Sequence, residues 1–416
     1  MYTLITALGT GMYKEGYRKT SYKFEELEPI ETSLFFKAIL QSNKYNIGKA
    51  VIIGTHTSGW DMLAEDLGDD EFWLELKEKC EKTGVTNELL YDLEKRLSNY
   101  YNIKIHLIAH TSTIENNTVE ELFKSYTKAI DFVKENENIL LDITHGFRTM
   151  PIFMYQSLLF KFSHRADVKI NIIYGEYIAS EKLSYVRDIS KYWELSQITE
   201  AKNRFFMQLD GKLLAEKLKS TWEAGSKCIQ AFSDIVSSNF ALQIPEILNQ
   251  IKNLEKKTET LPFWAEDIQI FLQNFEKRIR SNFLYDMLYN YSHFLAEKNL
   301  YTQAVIALQI SIEVKIITCV SKNSQDIGDY DKWQGNLNGN TGYRAKYYDL
   351  RKNFPKKERL IKLESLRNQI AHGGSKSKKM KGEPQAVNTK NTFDSAQKHV
   401  KDFFAFIEQN YKLEQK

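Results

Sequence analysis

Five apolar runs in the first half of the chain end in the same way, and this repetition limits the fold more than any other feature. Thr3 to Leu8 runs into Gly9-Thr10-Gly11, and Lys49 to Ile53 into Gly54-Thr55-His56-Thr57-Ser58-Gly59. Ile103 to Ala109 ends in His110-Thr111-Ser112, Ile139 to Ile143 in Thr144-His145-Gly146, and Lys169 to Tyr174 in Gly175-Glu176. Between these runs lie segments with helical spacing: Ser33 to Gln41, a stretch around Phe72 to Cys80, Asn87 to Ser98, Val119 to Lys134, and Ile152 to Phe162. Strands that alternate with amphipathic helices predict a parallel, doubly wound α/β sheet. In such a sheet the strand ends line one edge, and ligands bind there.

The fourth run carries the most chemistry. It is apolar from Ile139 to Ile143 apart from Asp142, as expected of a strand buried on both faces. It then breaks into Thr144, His145, Gly146, Phe147 and Arg148, and Pro151 suits the first turn of the helix that follows. A helix N-terminus offers N–H groups to an anion. Arg148 adds a fixed charge, and His145 a ring that can donate, accept or stack. Glycines allow a ligand close to the backbone, and Thr and Ser hydroxyls suit phosphate or ribose oxygens. Turn chemistry alone explains any one such loop. Five in register, several with His and one with Arg, point to a nucleotide-like ligand. Gly9-Thr10-Gly11 does not complete the dinucleotide fingerprint, because position 14 is Lys, and a Walker A loop is absent from the sequence.

From about Tyr192 to Arg280 the period becomes helical, in the runs Ser196 to Leu218, Trp222 to Ser237, Gln243 to Leu254 and Trp264 to Arg280. This stretch reads as a helical connector, and whether it belongs to the domain that follows stays open. Leu284 to Glu297, Thr302 to Val320, Glu358 to His372 and Phe393 to Leu413 then predict a helical bundle. The expected organisation is therefore a sensing domain over 1–190, a connector over 191–280 and a bundle over 281–416. A net charge of +3 over 416 residues excludes a global basic field, so any nucleic-acid binding must be local. Cys80, Cys228 and Cys319 lie far apart and show no metal-ligand spacing, so we expect no metal and a reducing compartment. No signal-like basic start and no apolar run approaching a membrane span are evident, and the expected location is cytoplasmic with no membrane partner.

A second chemical motif ends the third bundle helix, at Leu366-Arg367-Asn368-Gln369-Ile370-Ala371-His372-Gly373. Asn368 and His372 share a helix face. Arg367 and His372 diverge by roughly 140° on an ideal helix, but a long Arg at a helix end can curl back so that both heads meet one phosphate. Arg is a permanent fork for phosphate oxygens, and His moves a proton near neutral pH. Together they can cleave RNA without a metal by promoting attack of the 2′-hydroxyl on phosphorus. Taken alone, cations at a helix C-terminus simply suit the helix dipole. Lys376, Lys378, Lys379 and Lys381 lie just beyond and would draw phosphates to such a site. Glu313, inside an apolar helix, either orients Arg367 or reaches the surface.

Taken together the two motifs are recognisable. Asp142-Ile-Thr-His-Gly146 resembles the DxTHG signature of CRISPR-associated proteins. Arg367-Asn-Gln-Ile-Ala-His372 resembles the R-N-x-x-x-H motif of HEPN ribonucleases. In this order the chain resembles the accessory ribonucleases of type III CRISPR systems. The resemblance implies a Rossmann-like CARF domain, a helical connector and a C-terminal HEPN bundle, an α/β plus all-α architecture. It further implies a homodimer that binds cyclic oligoadenylate, tetra-adenylate rather than hexa-adenylate, and then cuts single-stranded RNA in antiviral defence. Carried over residue by residue, Thr10, Gly11, Thr55, His56, Thr57, Thr144, His145, Gly146, Arg148 and Glu176 would meet the activator. Asp142 would support the loop from below. Arg367, Asn368 and His372 would form the catalytic set, and His145 or Thr10 is a candidate for slow cleavage of the activator itself. A nucleotide-responsive transcription regulator that binds DNA through the helical middle is the alternative. It is disfavoured because that region is not notably basic and offers no clear recognition helix. A bundle-type toxin controlled by a protein partner ranks last, since it leaves the polar sheet edge without a purpose.

Overall fold

The computed structural model describes residues 1–10, 12–13, 16–17, 19–110, 119–134, 137–146, 149–163, 168–255, 261–321, 342–371 and 385–413. The chain divides into two compact units, Met1–Gln197 and Ile198–Lys416.

The strands of the first unit are β1 (Tyr2–Leu8), β2 (Met12–Tyr13), β3 (Gly16–Tyr17), β4 (Thr20–Lys23), β5 (Ile30–Thr32), β6 (Ile47–Thr55), β7 (Lys104–His110), β8 (Asn138–Asp142), β9 (Ile170–Ile178) and β10 (Leu183–Asp188). Eight of them form one sheet in the order β5-β4-β10-β9-β8-β1-β6-β7. The five expected strands are its parallel block, β9-β8-β1-β6-β7. The helices are α1 (Phe35–Ser42), α2 (Trp60–Ala64), α3 (Asp70–Lys82), α4 (Asn87–Tyr101), α5 (Val119–Ile130) and α6 (Met150–Phe162). Alternate strand residues feed two cores, one per face. Leu4, Ile52 and Leu140 join the cluster of Phe35, Leu76 and Leu93. Ile5, Val51 and Leu141 join that of Tyr126, Met154 and Leu158. Strands buried on both faces are mostly apolar, which is why they stood out as near-continuous runs.

The sheet extends beyond the expected block. β9 does not end at Tyr174. It continues through Gly175 and Glu176 to Ile178 and turns back into the antiparallel β10. β4 then pairs in parallel with β10, and β5 antiparallel with β4. These additions are short and mix Thr, Ser, Tyr, Lys and Glu, so they lack the apolar run that marks a central strand. The sheet is accordingly mixed rather than purely parallel.

The described residues of the second unit are all-α. After α7 (Lys191–Gln208), inside which the unit boundary falls, come α8 (Lys212–Leu218), α9 (Glu223–Ser238), α10 (Ile244–Glu255) and α11 (Glu266–Ile279). There follow α12 (Leu284–Glu297), α13 (Tyr301–Ser321), α14 (Tyr343–Asn353), α15 (Lys357–Ala371) and α16 (Gln385–Leu413). The expected single run from Ser196 to Leu218 is broken at Leu209, whose φ is +60°. α14 had no counterpart in the sequence reading. The helices expected as a connector share one hydrophobic core with the later ones, from Phe205, Phe232 and Phe275 to Leu308, Leu363 and Phe403. Unit two therefore takes in that stretch from Ile198 onward. Contrary to the sequence expectation, Tyr301–Val320 is long and apolar enough to cross a membrane, at a mean hydropathy of 1.6. Packing against α12, α14, α15 and α16 accounts for that composition, because α13 is the central helix of the unit. It also buries Gln309, Glu313 and Lys315.

Candidate functional site

A cleft of about 430 Å³ opens in the first unit, lined by Gly9, Thr20, Tyr22, Ser33, Leu34, Met62, Thr144, His145, Tyr174, Gly175, Tyr177 and Ser184. Gly9 and the Thr144–His145 turn are the carboxyl ends of β1 and β8, so the cleft lies at the expected edge of the parallel block. Its other wall comes from β4, β9 and β10.

Buried polar contacts build the turn after β8. Asp142 is fully buried and accepts from Thr6 Oγ1 at 2.6 Å and from the Thr144 amide at 2.8 Å. Burial raises its pKa, with nearby His145 and the two Thr donors opposing the rise. Thr144 Oγ1 accepts from the Gly175 amide at 2.8 Å, which ties β9 to the turn. A Cβ at Gly175 would come within 2.9 Å of Thr144 Cγ2, so only glycine allows that approach. Gly146 has φ +106°, and a Cβ there would meet Met150 Sδ at 2.7 Å and Ala7 Cβ at 3.0 Å. His145 pairs through Nε2 with the hydroxyl of Tyr22 at 2.9 Å. Burial lowers the His145 pKa, against the pull of Asp142, and holds the ring neutral near pH 7. The cleft thus presents hydroxyls and a neutral imidazole, a set that hydrogen-bonds phosphate and ribose oxygens.

The second unit holds the other motif at the end of α15. Arg367 Nη2 lies 3.1 Å from Oε1 of Glu313 on α13. Glu313 is 2% exposed and also accepts from Gln309 Nε2 at 3.1 Å. Of the two roles open for Glu313, orienting Arg367 is therefore the one its position serves. Arg367 and Asn368 are both partly exposed. Beside them Arg351 pairs with Glu364, whose carboxylate also accepts from Tyr348 at 3.1 Å. His372 and the Lys376–Lys381 stretch lie outside the described residues.

Residues 3–181 match the family model for the CARF domain of the CRISPR system endoribonuclease Csx1. The matched residues span most of the first unit, which is similar to that CARF domain. The chain is also 27% identical over 285 residues to the CRISPR-associated protein MJ1674 of Methanocaldococcus jannaschii, covering 61% of this chain and 44% of that protein. It thus spans less than half the length of this relative. Among solved structures, Enterococcus italicus Csm6 bound to cyclic hexa-2′-fluoro-hexa-dAMP is similar over 99% of this chain and 95% of that one, at 12% identity and a TM-score of 0.37.

Within the first unit, the residues expected at the ligand have different placements. Thr144 and His145 line the cleft, with Gly146 beside them. Thr10 is exposed and follows the cleft-lining Gly9. Gly11 and Arg148 lie outside the described residues. The loop after β6 is tied up internally and is not among the described lining residues. Thr55 is 1% exposed, with Oγ1 near Ser58 Oγ at 3.1 Å and Thr57 Oγ1 at 3.3 Å. Ser58 Oγ in turn donates to the Leu8 carbonyl at 2.8 Å, and His56 Nδ1 faces the Val85 carbonyl at 2.9 Å. Glu176 is paired with Arg187 at 2.8 Å on β10, while its neighbours Gly175 and Tyr177 reach the cleft. Thr20, Tyr22, Ser33, Tyr174, Tyr177 and Ser184 were not anticipated. For Tyr22 the available signal was the alternation Ser21-Tyr22-Lys23-Phe24, which is too short to register as a strand.

Proposed function

We propose that this protein is a cyclic-oligoadenylate-activated, metal-independent endoribonuclease that cuts single-stranded RNA in type III CRISPR defence. The observation that carries the reading is the CARF-like cleft, whose hydroxyls and neutral His145 suit the phosphates and riboses of a cyclic nucleotide. The resemblance favours cyclic tetra-adenylate over hexa-adenylate. An even-numbered ring fits a two-fold site shared by two copies. Pairing of copies is supported by Ile152 and Phe160 on α6, 68% and 65% exposed on the helix that follows the His145 turn.

The helical unit is assigned as the HEPN ribonuclease. Arg367, held by Glu313, stabilises charge on the phosphate, and Asn368 and His372 complete the set. The RNA 2′-hydroxyl attacks phosphorus, the 5′-oxygen leaves, and His372 moves the proton. The products are a 2′,3′-cyclic phosphate and a 5′-hydroxyl. Activator switches the enzyme on by binding the active arrangement better than the resting one.

The test is an RNase assay on purified protein with EDTA present and a panel of cyclic oligoadenylates. Cleavage of single-stranded RNA only with a ring of one size supports the reading. Intact RNA with every ring, or cleavage that needs a divalent ion, overturns it.

A further inference from the structure

The motif turn and the added edge of the sheet meet at one hydrogen bond, between His145 Nε2 and the Tyr22 hydroxyl at 2.9 Å. These residues lie 123 positions apart, and β4, which carries Tyr22, is separated from β8 by β10 and β9. Tyr22 is 2% exposed, and its ring packs on Phe35 with centroids 4.9 Å apart. Its hydroxyl is therefore fixed in place by packing. Gly175 makes the meeting possible. A Cβ there would press within 2.9 Å of Thr144 and lie 3.5 Å from the Tyr22 ring.

A neutral imidazole carries one N–H donor and one acceptor, and the bond at one nitrogen decides what the other offers. Were Nε2 the donor to Tyr22, Nδ1 would carry a lone pair and could only accept. With the phenol donating, Nδ1 offers an N–H instead. We propose that Tyr22 is a positioning residue for His145: its hydroxyl donates to Nε2, keeps the imidazole proton on Nδ1, and so makes His145 a hydrogen-bond donor to an oxygen of the bound nucleotide. This rests on the reading of the cleft as the activator site, and it deepens that reading by assigning the added sheet edge a part in phosphate recognition.

The test uses the full chain labelled with ¹⁵N-histidine. The His145 signal is assigned among the eight histidines by its loss in His145→Ala. In the wild type His145 should show the Nδ1–H tautomer. In Tyr22→Phe, which keeps the ring packing, it should shift toward the Nε2–H form that free imidazole favours. Calorimetric binding of cyclic tetra-adenylate should weaken about 3–10-fold in Tyr22→Phe, with no further loss when Tyr22→Phe is added to His145→Ala. An Nε2–H tautomer in the wild type, or an unchanged tautomer in Tyr22→Phe, overturns the proposal, as does additive loss in the double variant. If the wild type binds no cyclic oligoadenylate, the functional reading fails, while the tautomer measurement still decides what Tyr22 does.

Discussion

His145 in the first unit and Arg367 in the helical unit are each held by a side chain distant in sequence, but by different physics. His145 meets a neutral phenol, Tyr22, 123 positions away, and stays neutral itself. Arg367 meets a buried carboxylate, Glu313, 54 positions away. Under the proposed function the difference suits two tasks. A cleft that must bind and release a charged messenger gains from neutral donors, which orient the ligand at little desolvation cost. A site that stabilises charge building up on a phosphate gains from a permanent cation pinned in one pose.

The largest expected effect separates the two units. Arg367→Ala should reduce RNA cleavage by roughly 10³-fold or more and leave the calorimetric affinity for cyclic tetra-adenylate unchanged. A matching loss of affinity would mean that the two sites are not separable in this way.

A control sits at the opposite edge of the same sheet. Burial pushes the Glu137 carboxyl up, but hydrogen bonds from Lys49, the Lys134 amide and Thr3 outweigh it and hold its pKa at about 2, against 4.5 unperturbed. A depressed carboxylate pKa contributes stability that is present above pH 4.5 and disappears as pH falls toward 2. The contribution is about 3 kcal/mol. Glu137→Gln should lose it at pH 7 in urea denaturation and flatten the acid limb of the stability curve, with activator affinity intact in the folded protein. An unchanged acid limb would remove this pair from the stability account.

Glu313→Ala sharpens the comparison from the other side. It leaves Arg367 without its buried partner, and since that Arg is 32% exposed, water offsets part of the penalty. A loss of about 2 kcal/mol in stability should accompany a larger fall in kcat than in affinity for RNA. Equal effects on both would make Glu313 merely structural. The smallest of these effects belongs to Gly146→Ala. With φ at +106° and Met150 in the way, it should cost about 1–2 kcal/mol and weaken activator binding by shifting the turn. Unaltered binding would mean that the turn's shape is not what the ligand reads.

The core of the first unit was legible because β1, β6 and β8 are buried on both faces and, with the partly buried β7 and β9, appear as apolar runs. Thr144 and His145 were legible because they follow such a run directly. β4, β5 and β10 were not, since they are short and mix polar with apolar residues, and Thr20–Lys23 is only four residues long. Thr55 and His56 looked like cleft residues, yet their loop is held by Ser58 and Val85. Sequence spacing cannot distinguish a hydroxyl that faces a ligand from one that closes its own turn, because both use the same residue types.

The sequence by itself determined the parallel block, the helical character from Lys191 onward, and the two motifs, because periodicity and turn chemistry are local properties. The tertiary structure decided which distant side chains complete each site. Tyr22 reaches His145, and Glu313 reaches Arg367, only once the sheet has gained its added edge and α13 has packed against α15. Such pairings are set by how elements pack, and packing brings together residues whose separation along the chain carries no sign of it.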